Sequence, residues 1–344
     1  MKTKNILFPK IIVFIIFLGA LSCKEDVAIQ NAQHYDLSNA NVLTFKNESE
    51  VFAYLNTAKD KISNFMSIDD LYKKVLTQLA DSTNVEHSRL LEEYRDVITV
   101  ADSTYTPVME NSTYRVICNR DRLYVIGNLV HKVLDNQYII FTEKQNVDAL
   151  IKIKSVIGID ASIFKVAQYQ EFNKREINGR TKANCGSYFK VDYFDNHSGC
   201  KNDRRAWVET QAYFFLNGIT YTPMVLAKCW GEIRRGNCNW YVYDTPLTSI
   251  NSSFTVGVTY NGGTNLYSKG SSDVSEATES VPGYPGYWVI YGAYLNGNPI
   301  GSPVGPSFSP NGTPSIQFTA IHFETSTQGV GANDPSHYAV IDCR

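Results

Sequence analysis

Cys185 and His337 are the two residues whose pairing would carry the sharpest chemistry in this chain. A thiol becomes a nucleophile when a base takes its proton, and an imidazole within hydrogen-bond reach is a suitable base. Cys185 opens the run Cys185-Gly186-Ser187-Tyr188-Phe189, and His337 opens His337-Tyr338-Ala339-Val340-Ile341, 152 residues later. A second set is His322 and Glu324, which share one face of a strand. Joined by His337 from a neighbouring strand, they would offer three zinc donors. Each set has a plainer competitor. Seven cysteines less Cys23, which has a separate role, leave six, an even number that reads as a disulfide framework in an exported protein. Proximity along the chain favours Cys185 with Cys200 and Cys229 with Cys238. Each pair closes a loop of about 10–16 residues, which contributes on the order of 3 kcal/mol. Cys118 and Cys343 are then left to each other, unless Cys118 is simply a buried thiol. Scattered His and Glu are more often surface polar residues than ligands, and His34, His87, His131 and His197 lack metal spacing. The preferred reading is staples rather than a nucleophile, with no metal and no cofactor.

Ligand contact is the other chemistry on offer. The chain holds 22 Tyr, 17 Phe and 4 Trp, and all four Trp lie after residue 200. Tyr284, Tyr287, Trp288 and Tyr291 crowd a Gly- and Pro-rich stretch, where exposed rings can stack on sugars or anchor a protein partner. Within a strand, Tyr287 and Tyr291 share a face and Trp288 points the other way. Trp207, Trp230 and Trp288 are expected to fill the core. No phosphate-binding loop, dinucleotide fingerprint, Gly-x-Ser-x-Gly or His-Glu-x-x-His occurs. With 32 basic against 34 acidic residues, the charge is too balanced for nucleic acid.

The Cys185 and His337 segments resemble the nucleophile segment and the histidine strand of papain-like peptidases. That resemblance implies a Cys–His hydrolase with Cys185 attacking and His337 as its base. The sequence departs from the family at three points. Residues 188–194 alternate like a strand where the family opens a long helix, Tyr188 stands at the second cysteine, and no orienting Asn follows His337.

The elements that must position these residues fall into two unlike halves. In the first, Val51, Leu55, Ala58, Ile62 and Phe65 recur at helical spacing, with Asn47 and Glu50 set as a capping box. A second helix begins after Ser67 with Ile68, Leu71, Val75 and Leu79 on one face. A third covers roughly 85–98. Tyr114–Cys118, Leu123–Ile126, Leu129–Leu134 and Tyr138–Phe141 read as strands of a small antiparallel sheet, with Gly127-Asn128 and Asp135-Asn136 as turns. Val147–Val156 fits helix or strand. The second half reads all-β: Tyr188–Tyr193, Ala206–Phe215, Met224–Trp230, Trp240–Asp244, Ser253–Tyr260, Gly286–Tyr294, Ser315–Phe323 and Tyr338–Asp342. Strands of this length, separated by Asn-Gly turns, predict a disulfide-stapled β-sandwich. The expected organisation is an α+β domain over 41–156, a linker over 157–182, and the sandwich over 183–344.

The N-terminus carries an address. Lys2, Lys4 and Lys10 precede an apolar run over 11–18 that is too short to span a bilayer. Gly19-Ala20-Leu21-Ser22-Cys23 resembles the bacterial lipoprotein processing site. The resemblance implies removal of 1–22, acylation of Cys23, and residues 23–40 as a lipidated tether. Lys24-Glu25-Asp26 resembles the surface-export signal of Bacteroidota lipoproteins, which implies an outer-membrane anchor facing outward. Cleavage removes three lysines and no acids, so the net charge falls from -2 to -5. Over 45–155, the amphipathic helices, Tyr94-Arg95-Asp96-Val97, Tyr114-Arg115-Val116-Ile117-Cys118-Asn119 and Tyr124-Val125-Ile126-Gly127-Asn128 with Lys132 are similar to uncharacterised Bacteroidota surface lipoproteins. The expected function is a non-enzymatic surface lipoprotein that binds a glycan or a host protein. The Cys–His hydrolase and a structural envelope component are the alternatives.

Overall fold

Ser67 starts a helix because its hydroxyl accepts from the Asp70 amide while the Asp70 carboxylate accepts from the Ser67 amide. The helix runs Ile68–Asp81 and buries Ile68, Leu71, Val75 and Leu79 along one stripe. Before it, Glu48–Asn56 buries Val51 and Leu55, with the Asn47 side chain accepting from the Glu50 amide. After it comes Asn84–Glu93, and Ile98 begins a strand rather than ending that helix. The expected strand at Tyr114–Cys118 is instead the helix Ser112–Ile117, because the Asn111 side chain accepts from the Thr113 and Tyr114 amides. A mostly antiparallel five-stranded sheet backs these helices. Its order is Thr44–Phe45, Leu123–Ile126, Leu129–Val133, Tyr138–Glu143 and Lys165–Gln168, with the first pair parallel. Val147–Leu150 is a short helix.

The computed structural model describes residues 35–37, 41–56, 65–101, 104–134, 137–169, 174–178, 180–182, 185–194, 204–234, 240–242, 247–271, 279–281, 284–295, 298–327 and 337–343. The second half is β throughout these residues. One sheet follows the path Glu279–Val281, Tyr284–Tyr291, Thr220–Arg234, Arg204–Asn217, Tyr188–Phe194, Lys174–Asn178, with Trp240–Val242 and Ser302–Pro303 also paired to Thr220–Arg234. The other runs Gly263–Ser271, Leu247–Tyr260, Ser315–Thr327, His337–Cys343, Arg180–Lys182. Asn217-Gly218 and Asn261-Gly262 turn the two longest hairpins, and Asn261, Gly262 and Gly218 all take positive φ. Phe189 and Phe254, from different sheets, both pack on Phe318.

Segment 157–182, expected as a linker, is built into the fold. Lys165–Gln168 closes the first sheet, Lys174–Asn178 the second, and Arg180–Lys182 the third. Residues 36–344 accordingly form one compact unit whose buried cluster runs from Leu43 to Cys343. The seam between the halves is polar as well as apolar. Strand Tyr188–Phe194 pairs with Arg204–Asn217 only as far as Gln211; beyond it Ala212 N donates to Ser187 O and Phe214 N to Tyr169 O, both at 2.7 Å, and the remaining groups on that flank lack a backbone partner. Side chains of the first half complete them. Tyr114 Oη donates to Phe214 O at 2.9 Å and accepts from Leu216 N at 3.1 Å. Tyr124 Oη donates to Leu216 O at 2.9 Å, and His131 Nε2 accepts from Gly218 N at 2.8 Å. Each buried backbone group left unpaired would cost about 1–3 kcal/mol.

Cys185 and Cys343 form a disulfide across 158 residues, joining the start of one sheet strand to the end of a strand in the other sheet. The pairings of Cys185 with Cys200 and of Cys118 with Cys343 are therefore overturned, and so is that of Cys229 with Cys238, because Cys229 is a free thiol. Register decides the outcome: Phe318 N donates to Gly186 O at 2.9 Å, which brings the two sheets together beside Cys185. Cys118 and Cys229 are buried thiols, and burial pushes both well up from the ordinary thiol range. Cys200 and Cys238 lie outside the described residues.

Candidate functional site

Strand Arg204–Asn217 alternates strictly. Ala206, Val208, Ala212 and Phe214 are buried on one side, while Arg205, Trp207, Glu209, Gln211, Tyr213 and Phe215 share the other. At its C-terminal end this second side is covered: Phe215 packs on Phe52 and Tyr114, and Tyr213 Oη lies 2.6 Å from Thr113 Oγ1. Towards the other end it carries the candidate site. The register sets Trp207 opposite Trp230 and Glu209 opposite Lys228, with Lys190 opposite Glu209 on the other flank.

The indole rings of Trp207 and Trp230 stack at 5.6 Å with 16° between planes. Lys190 Nζ and the Arg205 guanidinium each lie 4.6 Å from the Trp207 ring, and Lys228 Nζ lies 5.4 Å from Trp230. Below them Lys228 Nζ meets Glu209 Oε2 at 3.0 Å, and Gln211 Nε2 donates to Glu209 Oε1 at 2.6 Å. Burial opposes ionisation of Glu209, but Lys228 and Lys190 outweigh it and hold the carboxyl below its usual range. Burial pulls the Lys228 ammonium down, with Glu209 acting against it. A buried ion pair of this kind fixes geometry more than it adds stability. Trp207, Lys190 and Arg205 are half-buried, while Trp230 and Glu209 are buried beneath them, so Trp207 and the two cations are the parts of this face that reach solvent. The register also places Asp192 opposite Trp207 and Glu232 opposite Arg205.

Of the aromatic residues expected to bind ligand, Tyr287 stands opposite Trp230, on this face, and Trp288 opposite Cys229, on the other. Tyr284 stands opposite Val281. Tyr287 and Tyr291 do not share a face as expected. A register shift between Ala227 and Lys228 sets Tyr291 opposite Ala227, where its ring meets Phe254 at 5.3 Å and its hydroxyl donates to Pro303 O at 2.7 Å. Of the two indoles expected in the core, Trp230 is buried and Trp207 is half-buried, and their stacked rings mark this face. The signal was present in the alternation Arg205-Trp207-Glu209-Gln211, where large and charged residues occupy one side together.

The Cys185 sulfur is bonded to Cys343 and is not a thiol in this structure. His337 falls on the last strand, with its side chain outside the described residues. His322 Nε2 lies 3.7 Å from Glu324 Oε2, and among the described residues no group of three or more His, Cys, Asp or Glu could hold a metal. Cys23 also lies outside them. A further hydroxyl–imidazole pair, Ser82 and His87, is not activated. Ser82 Oγ donates its one proton to Leu79 O at 3.0 Å, so His87 Nδ1, 3.2 Å away, must donate to Ser82. His87 Nε2 is then the acceptor for the Tyr105 hydroxyl. Among the described residues no helix is long and apolar enough to cross a membrane. No family model, curated protein or solved structure matches the chain.

Proposed function

We propose that this chain is an exported, lipid-anchored surface protein of the Bacteroidota lipoprotein type, with a binding rather than a catalytic role. Its ligand is a glycan seated on the Trp207–Trp230 face of a two-sheet sandwich. The observation that carries this is the stacked indole pair flanked by Lys190, Arg205, Lys228 and Glu209. Sugar rings offer apolar C–H faces to aromatic planes and hydroxyls that both donate and accept, and this face has partners for both. A disulfide buried between the sheets agrees with folding in an oxidising compartment outside the cytoplasm, as a lipid on Cys23 would require. The hydrolase alternative lacks a thiol at Cys185.

The test is a glycan array probed with residues 24–344 and with Trp207→Ala. Retention of one glycan class by the parent, weakened about tenfold or more in the variant, is the expected result. Equal retention by both, or none by either, removes the reading. Cys23→Ala is expected to release the protein from the membrane fraction. A variant that stays there with the same processed mass overturns the anchor.

A further inference from the structure

Residues 151–166 leave the five-stranded sheet and return to it, and they carry an unusual surface. Ile157 is 87% exposed, Ile163 43% and Val166 40%. Lys152, Lys154 and Lys165 are exposed around them, with Asp160 as the acid of the segment. The loop is held in shape from within and from below. Ile157 N donates to Ser155 Oγ, and the Asp160 carboxylate accepts from both the amide and the hydroxyl of Ser162. Gly158, at φ +78° with open space around it, turns the chain at the tip. Underneath, Phe164 is buried, Lys132 Nζ donates to Ile151 O, and Thr142 Oγ1 donates to Ile163 O at 2.8 Å. A singly exposed apolar side chain is ordinary, but Ile157, Ile163 and Val166 are all exposed within ten residues of one built loop.

The composition says what receives it. Protein interfaces concentrate Trp, Tyr and Arg and are depleted in Lys, whereas here three exposed lysines flank the apolar tip along the chain, Lys165 Nζ donating to Ala161 O at 3.0 Å, and the one aromatic residue, Phe164, is buried. An apolar tip flanked by lysines matches the boundary of an anionic bilayer, where acyl chains take the isoleucine and headgroups take the lysines. We infer that loop 151–166 is a membrane-contact element, with Ile157 entering the headgroup–acyl boundary and Lys152, Lys154 and Lys165 resting among anionic headgroups. The contact needs neither the Trp207 face nor a lipid on Cys23. It orients the body on the surface to which a lipid would only tether it.

The experiment is co-sedimentation of residues 24–344, which include the whole compact unit, with vesicles. One set is phosphatidylcholine alone, and the other is phosphatidylcholine and phosphatidylglycerol in equal parts. The parent is expected to sediment with the mixed vesicles, and less so as salt is added. Ile157→Asp lowers the partition about tenfold. The Lys152→Glu, Lys154→Glu double variant lowers it by about 25-fold or more, since each lysine near the surface contributes about fivefold and the two acids repel anionic headgroups. All three positions are exposed, so thermal unfolding of the variants should match the parent. No sedimentation with mixed vesicles overturns the inference, as does equal partition of Ile157→Asp and parent. Self-association that depends on Ile157 without vesicle binding overturns it too, and would identify a second copy as the occupant. A failed glycan array with intact vesicle binding removes the sugar reading alone.

Discussion

His131 shows how one side chain can set the acid tolerance of the fold. Its ring stacks on Tyr124 at 4.5 Å, with Phe141 at 5.7 Å, and burial pulls its pKa from 6.5 down to about 3. Nε2 accepts from Gly218 N, so the neutral ring carries its proton on Nδ1, and a second proton would set donor against donor. The unfolded chain takes up that proton near 6.5 while the folded chain resists until about 3. The stability His131 contributes is therefore complete above pH 6.5 and is lost as pH falls through that window, by up to about 1.4 kcal/mol per unit. Urea unfolding across the window should show this slope in the parent and a flatter one in His131→Gln, which keeps an acceptor without titrating. Parallel slopes would place the acid sensitivity elsewhere. Tyr114 makes the companion case. Tyr114→Phe keeps the ring but strands Phe214 O and Leu216 N, and should cost about 2–4 kcal/mol in the same measurement.

Elements were legible where one local rule decided them. Ser67 and Asp70 announce their helix, Asn217-Gly218 and Asn261-Gly262 announce their hairpins, and period-2 alternation marks Arg204–Asn217 as a strand. Tyr114–Cys118 misleads because both of its sequence signals point the wrong way. Tyr, Val and Ile favour strands, and the helix they form is buried on Ser112, Thr113, Tyr114, Val116 and Ile117. A helix buried nearly all round has no polar stripe to show the 3.6 period. Only Asn111 carries the information, as a cap for two amides. Asn111→Ala should thus cost about 1–2 kcal/mol, and Asn111→Ser, which retains a capping oxygen, should recover part of that in thermal unfolding. Equal stability of parent and Asn111→Ala would mean that packing alone sets the helix. The bulge that moves Tyr291 off the face of Tyr287 left no trace in the sequence, because a register shift depends on the partner strand.

For the whole molecule, the decisive link joins residues that are far apart in sequence. Chain proximity suggested short disulfide loops, yet Cys185 finds Cys343 because strand pairing carries the last strand beside Ser315–Thr327, over the strand that follows Cys185. Nothing local in either cysteine's surroundings encodes that meeting. The same distance makes the bond effective. Closing a 158-residue loop removes more freedom from the unfolded chain than a short loop does, about 5 kcal/mol in the chain-entropy account. Cys343→Ser, Cys185→Ser and the double variant should therefore each lose about 3–5 kcal/mol, with no further loss in the double, because either change opens the same loop. Reductant should lower the parent to the level of the variants and leave the variants unmoved. Cys118 and Cys229 are buried with raised pKa values, so they should react with thiol reagent only on unfolding and cannot stand in for the lost bond. If Cys343→Ser unfolds with the parent, the two sheets are held by their shared aromatic core around Phe318, and the disulfide is incidental to the fold.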